Sequence, residues 1–151
     1  MFALDIGCGE NIEPALELAR DGYIVVAVEN NPYVVKDYKK RLDNSESENR
    51  TCVSPIIADA RFLPFKEESF NLIIAYYAFD WISILGEPAD INLASDEAKR
   101  VLKEGCKLVV HEYWEQGGLK RKEALGLAGF TVKYEDEDND EVVLIAVKQK
   151  R

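Results

Sequence analysis

Apolar residues along the chain come in short runs separated by amphipathic segments. Phe2 to Asp5 is a brief apolar stretch running into glycines, and Pro14 falls where a first helical turn tolerates a missing N–H. This predicts a strand and then a helix to about Arg20. Asp21-Gly22 ends that helix, and Tyr23 to Val28 is a nearly unbroken β-branched run of the kind buried on both faces of a parallel sheet. Asn30-Asn31-Pro32 supplies cap chemistry for a second helix, in which Val34, Val35, Tyr38 and Leu42 share a face; Asp43 to Arg50 is its polar exit loop. Thr51 to Ala58 is expected as a third strand, at a sheet edge because Pro55 cannot donate to a ladder. Phe70 to Tyr76 makes a fourth, followed by a loop and a helix from about Ala89 to Leu102 that Gly105 ends. Lys107 to Glu112, a helix at Leu119 to Ala128, and strands at Phe130 to Glu135 and Glu141 to Val147 complete the pattern.

Strands alternating with helices imply a mostly parallel sheet covered by helices on both faces, an α/β doubly wound domain. The last two strands are joined by only a few acidic residues, which forces an antiparallel pair, since parallel strands need a longer crossover. The acidic tip at 135–140 lacks the glycine and terminal glutamate of a calcium loop.

With 151 residues, of which 47% are hydrophobic, the chain can bury one sizeable core, and a single domain is expected. No apolar run reaches the roughly 20 residues that span a bilayer, and the first residues carry no basic start before a long apolar stretch, so the expectation is a cytoplasmic protein. Cys8, Cys52 and Cys106 are odd in number and widely spaced, which points to reduced thiols and to no metal site. The formal charge of −9 repels a phosphate backbone, making nucleic acid a poor partner. The basic groups at Lys36 to Arg41 and Lys120 to Lys122 are expected to be solvated helix faces.

Leu4-Asp5-Ile6-Gly7-Cys8-Gly9-Glu10-Asn11 puts two glycines directly after a strand, where absent side chains let a ligand lie against the backbone at a helix start. Glu29, about 20 residues on at the end of the second strand, can accept from both hydroxyls of a ribose. Together they imply an adenosine-containing ligand. A dinucleotide fingerprint wants a third glycine where this chain has Ile12, and brings a negative pyrophosphate. Asp5 and Glu10 beside the turn suit instead the ammonium and sulfonium of S-adenosylmethionine.

Leu-Asp-Ile-Gly-Cys-Gly at 4 to 9 resembles the first motif of the Rossmann-fold, S-adenosylmethionine-dependent methyltransferases. Val28-Glu29 is similar to their ribose-binding acid and Ala58-Asp59-Ala60 to their adenine-binding motif. Leu63-Pro64-Phe65 through Ser69-Phe70-Asn71 resembles their linker into the fourth strand. Ala75 to Ile82 is similar to the segment beside the transferred methyl, and Arg100 to Leu108 to the turn before the fifth strand. The resemblance covers nearly the whole chain. It implies the strand order 3-2-1-4-5-7-6 with strand 7 antiparallel. It also implies cofactor contacts by Gly7, Cys8, Gly9 and Asn11 in the first motif, by Asp59 and the Ala60 backbone to adenine, by Asn30 and Arg61 lining adenine, and by Ala75, Tyr76 and Tyr77 near the methionine part.

Methyl transfer is an in-line displacement at an activated carbon, so the protein mainly positions the acceptor and excludes water. Where the acceptor carries a proton, Asp80 and the single histidine, His111, are the candidate catalytic groups near the ends of strands four and five; the commoner roles of such residues are a turn cap and a structural histidine. Tyr76, Tyr77, Phe79, Trp81, Tyr113 and Trp114 offer faces to an aromatic or apolar acceptor, although some belong to the core. The chain begins at its first strand without the N-terminal helices that often cover the acceptor in this family, so an open site is expected, closed by a loop, a second copy or a protein partner. Asn71, Cys106 and Asn11 depart from the family's usual residues. There is no Asn-Pro-Pro-Tyr segment of the kind found in enzymes methylating exocyclic or amide nitrogens, and Ala-Tyr-Tyr-Ala-Phe-Asp-Trp-Ile looks more like small-molecule members. A methyltransferase acting on a small molecule is the first expectation. A catalytically weak cofactor-binding subunit working through a protein partner, and a protein or RNA methyltransferase, are the alternatives.

Overall fold

Seven strands form one sheet in the order β3-β2-β1-β4-β5-β7-β6. They are β1 Phe2–Ile6, β2 Ile24–Glu29, β3 Val53–Ile57, β4 Phe70–Tyr76, β5 Leu102–Tyr113, β6 Thr131–Asp138 and β7 Glu141–Val147. The structure is a computed structural model and describes residues 1–113, 118–138 and 141–151; Trp114, the tip of the acidic hairpin at 139–140, and the side chains at 83–84, 88, 118–120 and 134–138 lie outside that description. β1 to β5 run parallel where they pair, and β7 is antiparallel to both β5 and β6, in agreement with the short connection. Pro55 sits in β3, which pairs only with β2, so the missing N–H faces no further strand.

Helices cover both faces. α1 (Glu13–Arg20) and α2 (Pro32–Asp43) pack on β1, β2 and β3, burying Ala15, Leu16, Ala19, Val35, Tyr38 and Leu42. α3 (Ala78–Leu85), α4 (Pro88–Val101) and α5 (Gly118–Leu127) close the opposite face around Leu4, Ile6, Ile73, Leu108 and Leu144. The basic residues from Lys36 to Arg41 lie on the exposed side of α2, but in the second basic group Arg121 is 1% exposed and turned into the molecule toward Asp80 and Glu112, so the expected solvated face does not hold there.

Three local expectations are corrected. The segment after β4 is a helix and not a loop. Its start, Tyr77, has φ 57 without being glycine and makes no side-chain cap, so none of the usual start signals announces α3. Gly105 does not end α4: the helix stops at Val101, and Gly105 (φ 74) lies inside β5, donating its N–H to the Lys148 carbonyl at 2.7 Å. A left-handed glycine serves a strand irregularity as well as a helix end, and the sequence alone does not distinguish them. Finally, residues Glu48–Cys52 form a 3₁₀ turn, so β3 starts two residues later than the apolar run indicated.

Candidate functional site

β1, β2 and β4 end on the same side of the sheet, and the turns that follow them enclose a cavity of about 780 Å³. The floor is the β1 turn. Gly7 and Cys8 both donate their N–H groups to the Val28 carbonyl, at 2.8 and 3.0 Å, which ties the turn to β2. Gly7 and Gly9 have φ of 65 and 57, a region that L side chains avoid. A Cβ on Gly7 would lie 2.5 Å from the Ala78 Cβ, so this glycine lets α3 approach the turn, whereas a Cβ on Gly9 meets nothing within 4 Å. Asn11 Oδ1 then accepts from the Glu13 N–H at 3.1 Å and opens α1.

Asp5 is the acid of the floor. It is 2% exposed, its Oδ2 has no hydrogen-bond partner, and burial pushes its carboxyl up to about 7. Glu29 closes the end of β2; its Oε1 accepts from the Asn31 N–H at 3.1 Å, and Asn31 in turn caps α2 through the Tyr33 N–H at 3.0 Å. Asp59 is held by Arg61, whose backbone N–H, Nε and Nη2 all donate to its carboxylate at 2.6–3.1 Å; that guanidinium is the main reason its carboxyl lies below the usual range. Arg61 also reaches Asp90 Oδ1 on α4 at 3.1 Å.

Of the cofactor residues expected from the sequence, Asp5, Gly7, Cys8, Gly9, Asn11, Glu29, Asn30, Asp59, Ala60, Arg61, Tyr76 and Tyr77 line this cavity. Ala75 does not: it is fully buried in β4, facing the core on the α3–α5 side. Trp81, Ile82 and Leu85 of α3 and Asp90 of α4 line it as well. The apolar spacing of 78, 81, 82 and 85 was the one signal for the α3 wall; Asp90 had none, because only the chain reversal through Gly86 brings α4 to Arg61.

The two catalytic candidates do not line the cavity. Asp80 projects from α3 into the opposite side, 3% exposed, where it accepts from the Tyr113 N–H at 3.1 Å and lies 3.5 Å from the buried guanidinium of Arg121. Arg121 in turn lies 3.7 Å from Glu112, whose carboxyl is pushed up to about 10 by burial and then by Asp80. His111 stands behind Tyr76, the rings stacked at 4.1 Å, and burial holds its imidazole below the ordinary range while Glu141 opposes that shift. Tyr77 stacks on Tyr113 at 4.5 Å with its hydroxyl beside Glu141; Phe79 is core.

Known proteins share this fold. The chain is 26% identical over 105 residues to the human mitochondrial arginine-hydroxylase NDUFAF5, a match covering 68% of this chain but only 26% of that protein, so the chain spans about a quarter of its curated relative. Among solved structures, an S-adenosylmethionine-dependent methyltransferase from Methanosarcina mazei superposes with a TM-score of 0.81 at 16% identity, covering 99% of this chain and 93% of that one. The glycopeptide N-methyltransferase MtfA, complexed with S-adenosylmethionine, gives 0.81 at 15% identity, covering 97% and 86%. A methyltransferase of Haloferax volcanii in complex with the Trm112 activator gives 0.77 at 17% identity, covering 99% and 82%. At these identities the structures establish the fold. The family model for a methyltransferase domain matches residues 4–110, from the strand that carries Asp5 through most of β5. With the cavity built on the very segments that this match spans, the chain belongs to the methyltransferase domain family, the S-adenosylmethionine-dependent methyltransferases of Rossmann-like fold.

Proposed function

We propose that the cavity binds S-adenosylmethionine along the β1 turn and that the methyl acceptor is a small apolar or aromatic molecule entering past α3. The observation that carries the cofactor placement is Asp5, a buried carboxylate with an unpartnered oxygen at the cavity floor. Such a group stands ready for an ammonium, and the side-chain-free turn at Gly9 leaves the backbone approachable. Glu29 keeps Oε2 for ribose hydroxyls while Oε1 holds Asn31. Asp59 fits adenine less simply, since Arg61 already occupies both of its oxygens, and the neighbouring Ala60 backbone is the better donor and acceptor pair.

When bound, S-adenosylmethionine supplies a methyl group activated by its sulfonium. Everything else falls to the chain. Trp81 and Leu85, 60% and 79% exposed on the cavity wall, give an acceptor a flat apolar surface and exclude water from it. No described carboxylate or imidazole on that wall is free for proton removal, which favours positioning as the source of rate. The charge of −9 argues against a nucleic-acid acceptor. A cytoplasmic site of action belongs to the same proposal. The three cysteines are free, and no helix among the described residues is long and apolar enough to cross a membrane.

The test is calorimetric titration with S-adenosylmethionine, S-adenosylhomocysteine and NAD, followed by a screen of phenols and aromatic amines. Binding of the first two and not NAD is expected. Glu29→Ala should lose roughly 10- to 100-fold in affinity through charge-assisted hydrogen bonds worth about 1.5–3 kcal/mol. Unchanged affinity in that variant would sink the placement. A second reading, a weakly active subunit completed by a protein partner, draws on Asp80 and His111 both lying off the cavity; it predicts cofactor binding without turnover of any small acceptor.

A further inference from the structure

Between β3 and β4 the chain runs from Ala58 to Ser69 without helix or strand, so side chains have to meet much of its backbone. One side of α4 supplies them. Glu97 Oε2 accepts from the Leu63 N–H at 2.7 Å, and Arg100 donates to the Leu63 and Phe65 carbonyls at 3.0 and 2.8 Å. Glu97 and Arg100 are themselves paired at 2.6 Å. Asp90 lies about two helical turns before Glu97 on the same side and ends this seam. Its Oδ1 lies 3.1 Å from Arg61 Nη1, and its Oδ2 accepts from the Glu87 N–H at 3.0 Å. Its side chain is 15% exposed, and Gly86 leaves room for it, since a Cβ at that glycine would stand 2.5 Å from Asp90 Oδ2. Of these three α4 side chains, Asp90 is the one that lines the cavity.

Arg61 thus stands between two carboxylates from distant segments. Its Nε and Nη2 hold Asp59, its Nη1 reaches Asp90, and its backbone N–H also donates to Asp59 Oδ1. A partly exposed ion pair by itself counts for little, but a bidentate pair continued into an anchored network is the exception. Ala60 is the residue between the two that the guanidinium pins together, so the direction of its N–H and C=O follows from that bridge. We infer that Asp90 is a positioning residue for the cofactor, holding through Arg61 the Asp59–Arg61 turn against which the adenine ring lies. The inference rests on the cofactor placement proposed above. Reading a ring edge takes a donor and an acceptor aligned at once, and hydrogen bonds weaken steeply below about 120°, so a turn free to swing binds adenine less well. Asp90 also belongs to the cap of α4, and Asp90→Asn separates the two roles. The amide oxygen still accepts from the Glu87 N–H, while the charge that holds Arg61 is gone.

The test is calorimetric titration with S-adenosylhomocysteine and with 5′-methylthioadenosine, which keeps the nucleoside and lacks the amino-acid end. Asp90→Asn is expected to weaken both ligands by the same factor, about five- to tenfold, while Asp5→Asn weakens only the first. Arg61→Lys keeps a charge but not the fork that spans two carboxylates, and should lose as much as Asp90→Asn. The double variant R61K/D90N should be no more than about twofold weaker than either single one, because both changes remove one bridge. Thermal melting followed by circular dichroism checks that each variant is folded, and Arg61→Lys carries the test if Asp90→Asn does not fold. Additive losses would mean that Arg61 acts on the ring by itself and Asp90 elsewhere, and they overturn the inference. So does binding like wild type by Asp90→Asn or Arg61→Lys, or a loss confined to S-adenosylhomocysteine. A wild type that binds neither ligand overturns the cofactor placement, and this inference with it.

Discussion

Asp5 is held in the middle of β1 by ladders to β2 and β4, and its neutral form is favoured by burial alone. An ammonium brought against it would favour the ionised form, so below pH 7 binding must expel a proton. The affinity for S-adenosylmethionine is therefore expected to fall as pH drops from 7 to 5, with a limiting slope of about tenfold per unit. Asp5→Asn should remove that slope and weaken binding at neutral pH, as read by titration calorimetry across the range. A wild-type affinity flat in pH would put the ammonium elsewhere. Asp5 and Glu29 were legible because each sits at a fixed place in one strand-turn unit, where spacing alone sets position. The Arg61–Asp90 pair was not, since 29 positions separate them in the chain and only the packing of α4 joins them.

α3 belongs to two environments at once. One side lines the cavity with Trp81 and Leu85, while Asp80 on the other ties the helix to β5 and α5 through the Tyr113 N–H and Arg121. Gly7 fixes its start, for any side chain there would collide with Ala78. Asp80→Ala leaves a buried guanidinium with, among the described residues, only the distant Glu112 carboxyl, and is expected to cost about 3–5 kcal/mol in urea unfolding. An enzyme with a catalytic Asp80 would instead keep its stability and lose turnover. The sequence placed Asp80 near the strand ends correctly but was silent on its direction, because the helix that aims it was not visible.

Over the whole molecule, two buried carboxyls among the described residues titrate far above the ordinary range: Glu112 holds its proton at neutral pH and Asp5 is about half protonated there. Both have folded values raised above their ordinary ones, Asp5 from 3.8 to about 7 and Glu112 from 4.5 to about 10. The folded state then binds more protons than the unfolded one, so each contribution is full at low pH and is lost as pH rises through these ranges. Between pH 7 and 9 only Glu112 remains in its window. Wild-type stability is expected to decline there by up to about 1.4 kcal/mol per unit, and Glu112→Gln, which stays neutral, should flatten that decline in urea unfolding. Parallel wild-type and variant curves would mean that Glu112 is already ionised.

The order of elements, the edge position of β3, the antiparallel pair at the end of the chain and the acids of the β1 and β2 ends follow from local rules; that β7 is the reversed strand came from the family resemblance. Alternation, proline, connection length and turn chemistry each act within a few residues, and the chain states them directly. Which way Asp80 and His111 face and that Gly105 lies inside a strand were decided only by tertiary structure. Each depends on the angle at which a helix or strand from far along the chain arrives, and that angle is set by the summed packing of the core and by no single segment.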